Sequence, residues 1–236
     1  MLKVYESEQL RSVTGPAIRP GGFELTEKGV SLCRLPKSAY VLDVGCGAGA
    51  TTEYLIARHG LNAFGLDLSE LLLEEGLRRN RGLPLIRGDA SFIPVSDARL
   101  SAVFCECVLS LTTEPETVLR EFFRVMAPGG YLIVADIYLR TPGEGGSFGC
   151  TPFNCCLKGA VGRNRTREMI SSAGFTHLTW EDHSDLLKNL AAQMIFAYGS
   201  MEKFWSSFCV GREATGISGD VTKFRPGYYF LAAKRR

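Results

Sequence analysis

The sequence predicts an α/β protein built on a doubly wound, Rossmann-like sheet, and two observations support this fold class. Short apolar runs alternate along the chain with helix-like segments, which is the pattern of βαβ units. The first run, residues 40–44, leads through Gly45, Gly47 and Gly49 into a helix-like segment at residues 52–59. Glycines at such a turn permit positive φ and let a ligand approach the backbone, so this turn is predicted to cradle a nucleotide-type ligand.

The later segments extend the same alternation. A strong helix is predicted at residues 70–79, where Ser69 is a suitable N-cap, and an amphipathic helix is predicted at residues 114–125. Further helices are predicted at residues 25–35, 165–173 and 186–208. The remaining apolar runs predict strands at residues 61–67, 83–87, 100–105, 130–137, 175–181 and 228–234.

Four motifs occur in a fixed order along this pattern. They are the segment Asp43-Val-Gly-Cys-Gly-Ala-Gly49, the acid Asp67, the triplet Gly88-Asp89-Ala90, and Pro128-Gly129-Gly130 before the fifth strand. With these motifs the chain resembles the class I methyltransferases that depend on S-adenosylmethionine (SAM), over roughly residues 38–140. The resemblance implies a seven-stranded sheet with the last strand antiparallel. It also implies an N-terminal helical cap or lid at residues 1–37 and a SAM-dependent methyltransferase domain at residues 38–236.

The resemblance also assigns roles around the cofactor, SAM, whose demethylated product is S-adenosylhomocysteine. Asp67 lies twenty residues after Gly47, where a βαβ unit places a carboxylate that binds ribose hydroxyls. Asp43 is expected to bind the ammonium group, and the loop residues Gly45, Cys46, Gly47 and Gly49 are expected to lie beside the methionine part. Leu68 and Ala90 are expected beside the adenine, whose amino group Asp89 would bind. The backbone of Cys105 is the last expected contact.

Two alternative functions remain open from the sequence. Gly45-x-Gly47-x-x-Ala50 also satisfies the dinucleotide fingerprint G-x-G-x-x-G/A, so the loop alone does not exclude NAD. The extra Gly49 and the acids Asp43 and Asp89 fit the methyltransferase pattern better. A protein that binds SAM without catalysing methyl transfer is the second alternative.

The expected methyl acceptor is a small molecule. The 27 basic and 25 acidic residues leave no charge excess that would favour nucleic acid. Cys105-Glu106-Cys107-Val108 stands where the DNA and amide-nitrogen methyltransferases carry D/N-P-P-[YF], which disfavours those branches. No apolar run has the roughly 20 residues needed to cross a bilayer, and the start of the chain is charged, so we expect no membrane partner and a cytoplasmic location. No acid–base pair stands out, so no catalytic residue is assigned.

The eight cysteines suggest a more specific alternative. No pair has metal-ligand spacing, so no metal site is predicted. Cys155 and Cys156 follow a turn-rich stretch that contains Cys150, and we expect both to line the acceptor pocket. The segment Cys156-Leu-Lys-Gly-Ala160 is similar to the arsenite methyltransferases, which implies a thiophilic acceptor. Those enzymes usually carry a cysteine where this chain has Thr52, a departure that weakens the likeness.

Overall fold

A single mixed sheet organises the protein in the computed structural model, which describes residues 4–141, 155–208, 217, 221 and 223–236. Its strands are β1 (Tyr40–Val44), β2 (Asn62–Asp67), β3 (Leu85–Arg87), β4 (Leu100–Glu106), β5 (Met126–Leu139), β6 (Phe175–Asp182) and β7 (Pro226–Arg235). The strand order is β3-β2-β1-β4-β5-β7-β6. Strand β7 is antiparallel to both β5 and β6, whereas the pairs among β1 to β5 are parallel. The predicted seven-stranded, doubly wound sheet with an antiparallel last strand is therefore confirmed.

Helices connect these strands and cover both faces of the sheet. They are α1 (Glu8–Thr14), α2 (Glu24–Cys33), α3 (Ala50–His59), α4 (Glu70–Arg79), α5 (Pro115–Val125), α6 (Arg163–Ser172), α7 (Ser184–Tyr198) and α8 (Met201–Ser206). The start of α4 agrees with the sequence prediction because the Ser69 hydroxyl accepts a hydrogen bond from the Leu72 N–H, as an N-cap should. Among the described residues, no helix combines the length and apolar character that spanning a bilayer requires.

Burial on both faces explains why the central strands are continuous apolar runs. Successive residues of a strand point to opposite faces, and Val41 and Leu42 accordingly contribute to two different apolar clusters, one on each side of the sheet. The register pairs Val44 with Leu66 on β2 and with Cys105 on β4. The carboxyl ends of β1, β2 and β4 therefore meet at one edge of the sheet.

The N-terminal segment lies directly on this framework. Helix α2 packs so closely that a Cβ added to Gly29 would lie 3.0 Å from side-chain atoms of both Phe104 and Ile133. Leu25 of the same helix is almost completely buried. Helices α1 and α2 thus share the main apolar core with the sheet, and the segment continues from α1 across the carboxyl edge of the strands.

The structure divides one predicted helix and moves the start of one predicted strand. The helix expected at 186–208 is interrupted, because Gly199 adopts a left-handed φ of 84° and ends α7, and Ser200 then caps α8. Strand β5 starts at Met126 rather than at Gly130, and its pairing with β4 shifts register between Leu100 and Ala102.

Candidate functional site

A cavity of about 630 Å³ opens at the carboxyl ends of the central strands. It lies where the strand order reverses between β1 and β4, which is the position at which open α/β sheets bind their ligands. Its described walls come from the glycine loop after β1, the ends of β2 and β4, the start of α5 and the N-terminal segment. Its size is in the range of small-molecule and cofactor pockets.

The glycine loop lines this cavity, and side chains added at its different glycines would have different effects. Gly45 and Gly47 both have left-handed φ values, 69° and 54°. A Cβ on Gly45 would lie 2.1 Å from Cγ2 of Val108, so close packing excludes it. A Cβ on Gly47 would approach only Leu72 Cδ1, at 3.7 Å. Because both glycines line the cavity, Gly47 leaves room for a ligand that a side chain would occupy.

Asp67 joins this loop to the next one. Its Oδ2 accepts a hydrogen bond from the Gly47 N–H at 2.8 Å, and its Oδ1 accepts one from the Ser69 N–H at 2.7 Å. Each carboxylate oxygen has a second lone pair that can accept from a ligand hydroxyl. Leu68 lines the cavity beside it and is 58% exposed, so it offers an apolar surface that a flat ring would cover.

Asp89 stands at the outer end of the cavity, after β3. Its Oδ1 accepts hydrogen bonds from the backbone N–H and the hydroxyl of Ser91, at 2.8 and 2.7 Å. Within the described part of the chain, Oδ2 has no hydrogen-bond partner, which leaves it able to accept from a ligand amino group. Ala90 lines the cavity next to it and is buried.

Two carboxyl groups lie deeper, at the ends of β1 and β4. The Thr52 hydroxyl donates to Asp43 Oδ2 at 2.8 Å. Burial, together with the nearby Glu106 carboxylate, raises the pKa of Asp43 to about 7. Burial also raises the pKa of Glu106, against the opposing effect of Arg19. Both acids line the cavity, so a cationic ligand group would meet a site that is pre-arranged for positive charge.

Arg19, from the N-terminal segment, completes this buried cluster. Its Nη2 lies 3.2 Å from Glu106 Oε2, and the side chains of Arg19 and Glu106 are only 8% and 2% exposed. The Thr26 hydroxyl donates to Glu106 Oε1 at 2.9 Å. Sequence reasoning missed both charged residues. Glu106 could have been noticed as an acid that ends an apolar run, whereas nothing near Arg19 in the sequence indicates its partner.

Most predicted cofactor residues meet in this cavity, and two do not. The residues that line it are Asp43, Gly45, Cys46, Gly47, Asp67, Leu68, Asp89 and Ala90. Gly49, the N-cap of α3, lies outside the lining, and a Cβ there would instead meet Leu85 Cδ2 at 2.8 Å. Cys105 lies inside β4, which extends one residue further than predicted, and it is completely buried in an apolar cluster. The next two residues, Glu106 and Cys107, do line the cavity.

The structure places the two predicted acceptor cysteines away from this lining. Cys155 is buried in the main apolar core. The Cys156 N–H donates to the hydroxyl of Tyr5, which itself lines the cavity, so Cys156 lies behind the wall rather than in it. Burial raises the pKa of the Cys156 thiol well above its ordinary value. Cys150 lies outside the described residues.

No group of three or more His, Cys, Asp or Glu side chains is arranged to hold a metal ion in the part of the chain that the structure describes. The described lining offers hydrogen-bond acceptors, the buried carboxyl groups of Asp43 and Glu106, and the guanidinium of Arg19.

Comparison with known proteins agrees with this geometry. Residues 42–134 match the family model described as a methyltransferase domain. A demethylmenaquinone methyltransferase of Renibacterium salmoninarum is 40% identical over 96 residues, which cover 41% of this chain and 40% of that protein. The chain spans 34–40% of the length of the first curated relatives that it matches.

Two solved structures have the same fold over nearly the whole chain. The 4+2 cyclase SpnF superimposes with a TM-score of 0.74 at 23% identity, covering 96% of this chain and 92% of that one. Phosphoethanolamine N-methyltransferase 2 of Haemonchus contortus, solved in complex with S-adenosyl-L-methionine, has a TM-score of 0.71 at 16% identity. That likeness covers 96% of this chain and 56% of the other. At these identities the likenesses concern the fold.

Proposed function

We propose that the chain carries a class I SAM-dependent methyltransferase domain and that the protein transfers a methyl group from SAM to a small-molecule acceptor. The observation that carries this proposal is the arrangement of Gly47 and Asp67 on one cavity wall. Gly47 leaves its side-chain position open, and the Asp67 carboxylate beside it retains lone pairs for ribose hydroxyls.

The donor and acceptor groups of the cavity suit the parts of SAM in order. We propose that Asp67 binds the ribose hydroxyls, that Leu68 packs against the adenine ring and that Asp89 accepts from its amino group. Asp43 would take the ammonium of the methionine part. Its pKa of about 7 supports this role, because a buried carboxyl that is costly to ionise alone gains most from a cationic partner.

When bound, SAM supplies a methyl group on a sulfonium, already activated for in-line displacement. The protein therefore has to hold donor and acceptor in line and to exclude water, and it needs no strong catalytic acid. We propose that residues 4–37 act as a cap for this purpose, since Tyr5, Ala17 and Arg19 close one side of the cavity.

The polarity of the residues that line the cavity limits which acceptors it can bind. Beyond the acids assigned to SAM, the described lining near β4 and α5 is mostly apolar or carries hydroxyl groups, as at Val108, Leu111 and Thr117. The cationic side chain in that lining is Arg19, which lies beside Thr51 at the start of α3, where the methionine part of SAM is expected. We therefore propose an uncharged acceptor rather than a phosphorylated amine, since binding a phosphate group would require an available cation.

Two sequence-level alternatives lose support. A thiophilic acceptor would require accessible thiolates at Cys155 and Cys156, which lie outside the lining, and the raised pKa of the Cys156 thiol opposes its ionisation. Against NAD, the methyltransferase domain model matches residues 42–134, which include the glycine loop.

The test has a binding stage and a turnover stage. Calorimetric titration of the protein with SAM, S-adenosylhomocysteine and NAD⁺ should give binding of the first two only. Turnover is then followed as release of S-adenosylhomocysteine with a short-chain naphthoquinol, ethanolamine or phosphoethanolamine as acceptor, and the uncharged quinol should be preferred. Binding of NAD⁺ without SAM would overturn the assignment. Binding of SAM with no turnover on any acceptor would leave a non-catalytic SAM-binding protein.

A further inference from the structure

We infer that Arg19 binds the α-carboxylate of SAM and that Glu106 and Thr26 hold its guanidinium in place for this purpose. The inference rests on the proposed function, because it assumes that SAM occupies the cavity. It adds a cofactor-binding residue from the N-terminal segment, which the methyltransferase motifs do not include.

The first argument is charge balance. The described lining contains six acidic residues, Glu6, Asp43, Asp67, Asp89, Glu106 and Glu114, and its cationic side chain is Arg19. The methionine part of SAM has two cationic groups, the sulfonium and the ammonium, and one anionic group, the carboxylate. Acids can receive the cationic groups, but a carboxylate that enters beside Asp43 and Glu106 is repelled unless a cation faces it. Arg19 is the lining residue that can do so.

The second argument is position. Nη1 of Arg19 donates to the hydroxyl of Thr51 at 2.7 Å. Thr51 is the second residue of α3, which follows the glycine loop directly. The guanidinium therefore lies at the end of the cavity where the methionine part of SAM is expected, near the N-terminus of a helix that also favours negative charge.

The third argument is the state of the guanidinium itself. Its Nε donates to the Gly22 carbonyl at 2.7 Å, and its Nη2 donates to Thr26 at 2.7 Å and lies 3.2 Å from Glu106. Nη1 has two hydrogens, and among the described residues only Thr51 accepts from it. The guanidinium is thus fixed in orientation and retains one N–H on Nη1, the atom that donates to Thr51 at the start of α3.

This arrangement gives Glu106 a defined role. A carboxylate with both oxygens engaged by Thr26 and one of them by Arg19 is poorly suited to accept a proton from an acceptor. Its effect is to orient Arg19, so Glu106 is a positioning residue. The fixed fork then needs little reorganisation when a carboxylate binds.

The experiment compares SAM with decarboxylated SAM, which keeps the sulfonium and the ammonium but lacks the carboxylate. For the wild-type protein we expect SAM to bind about 10- to 100-fold more tightly, the range for a charge-assisted hydrogen bond. The variant Arg19→Met/Glu106→Gln removes the guanidinium without leaving a buried unpaired carboxylate. It should bind the two ligands equally within about threefold.

Three further variants separate binding from structure. Glu106→Gln keeps the guanidinium and should retain most of the preference for SAM, and the exposed Arg58→Met is the matched control that should retain all of it. Arg19→Lys keeps the charge but loses the planar fork, so its preference should fall between those of wild type and the double variant.

The outcomes are distinguishable. Equal affinity of the wild-type protein for the two ligands would overturn the role of Arg19 and leave the proposed function intact. A double variant that loses both ligands to the same extent would show a structural role and would also overturn it. Failure of the wild-type protein to bind either ligand would instead remove the proposed function.

Discussion

The carboxylate of Asp67 accepts a hydrogen bond from the backbone N–H of Gly47, 2.8 Å away, and so connects the loops that follow β1 and β2. The residue proposed to bind the ribose therefore also shapes the glycine loop. Ligand binding and loop geometry are coupled at this one side chain, which determines how substitutions there should behave.

Replacement of Asp67 tests this double role. Asp67→Ala removes both the ribose acceptor and the support of the Gly47 N–H, and we expect a loss of SAM affinity of about 1.5–3 kcal/mol or more. Asp67→Asn keeps one acceptor oxygen and should lose less. Calorimetry with SAM measures both, with the exposed Asp185→Ala as control. Equal affinity of wild type and Asp67→Ala would show that this carboxylate does not contact the cofactor.

Substitutions in the glycine loop should separate binding from folding. Gly47→Val places a branched side chain in the open cavity, so SAM binding should be abolished, while the strain of a left-handed residue costs only about 1–2 kcal/mol of stability. Gly45→Ala instead drives a Cβ into Val108 and should lower the melting temperature more. Thermal unfolding and SAM titration of both variants provide the comparison. A folded Gly47→Val protein with unchanged affinity would contradict the open position assigned to Gly47.

The buried acids predict an inverse dependence of stability on pH. The pKa of Asp43 is about 7 in the folded protein, above the value of about 4 expected for the unfolded chain. Between these values the folded state binds more protons than the unfolded state. The free energy of unfolding should therefore fall as pH rises from about 4 to about 7, and the contribution of Asp43 should then stay constant. Asp136, whose pKa burial raises to about 6, acts in the same direction.

The variant Asp43→Asn isolates this contribution, since the amide oxygen can still accept from Thr52. We expect the variant to lose less stability than wild type when urea unfolding at about pH 5 is compared with unfolding at about pH 8. Parallel pH profiles for the two proteins would mean that Asp43 ionises in the folded state as readily as it does in water.

Cys155 and Cys156 should be unreactive in the folded protein. Cys155 is buried in the core, and the pKa of the Cys156 thiol is raised well above its ordinary value, so neither should react readily with a thiol reagent at neutral pH. The double variant Cys155→Ala/Cys156→Ala should retain SAM affinity. Mass spectrometry measures the labelling of each cysteine with and without SAM. Rapid labelling of either cysteine that is blocked by bound SAM would indicate that this cysteine lies in the acceptor site.

Capping residues and apolar spacing in the sequence predicted those helices and strands whose bounds depend on neighbouring residues in the chain. Helix α4 has the predicted bounds because Ser69 caps it and its apolar residues recur at helical spacing. The break between α7 and α8 was missed because a single glycine costs only about 1 kcal/mol in a helix, and the left-handed conformation of Gly199 cannot be read from the sequence.

The residues of the site likewise divide into those fixed by nearby sequence and those fixed by long-range contacts. Gly47 and Asp67 were predicted because a βαβ unit fixes their relation within one stretch of chain. Arg19 was not predicted, because its meeting with Glu106 depends on how the N-terminal segment crosses the sheet edge. Cys105 was expected just past the fourth strand, but β4 runs to Glu106, so the Cys105 side chain is buried inside the strand while Glu106 and Cys107 line the cavity.

The position of β7 between β5 and β6 has a consequence for biosynthesis. Strand β6 precedes β7 in the chain, yet β7 is its neighbour in the sheet, with β5 on the other side. While a ribosome still holds residues 226–235, β6 lacks its native neighbour, although β1 to β5 can already pair among themselves. Until β7 emerges, the edges of β5 and β6 with which it will pair stay open, so these two strands depend most on protection from premature association.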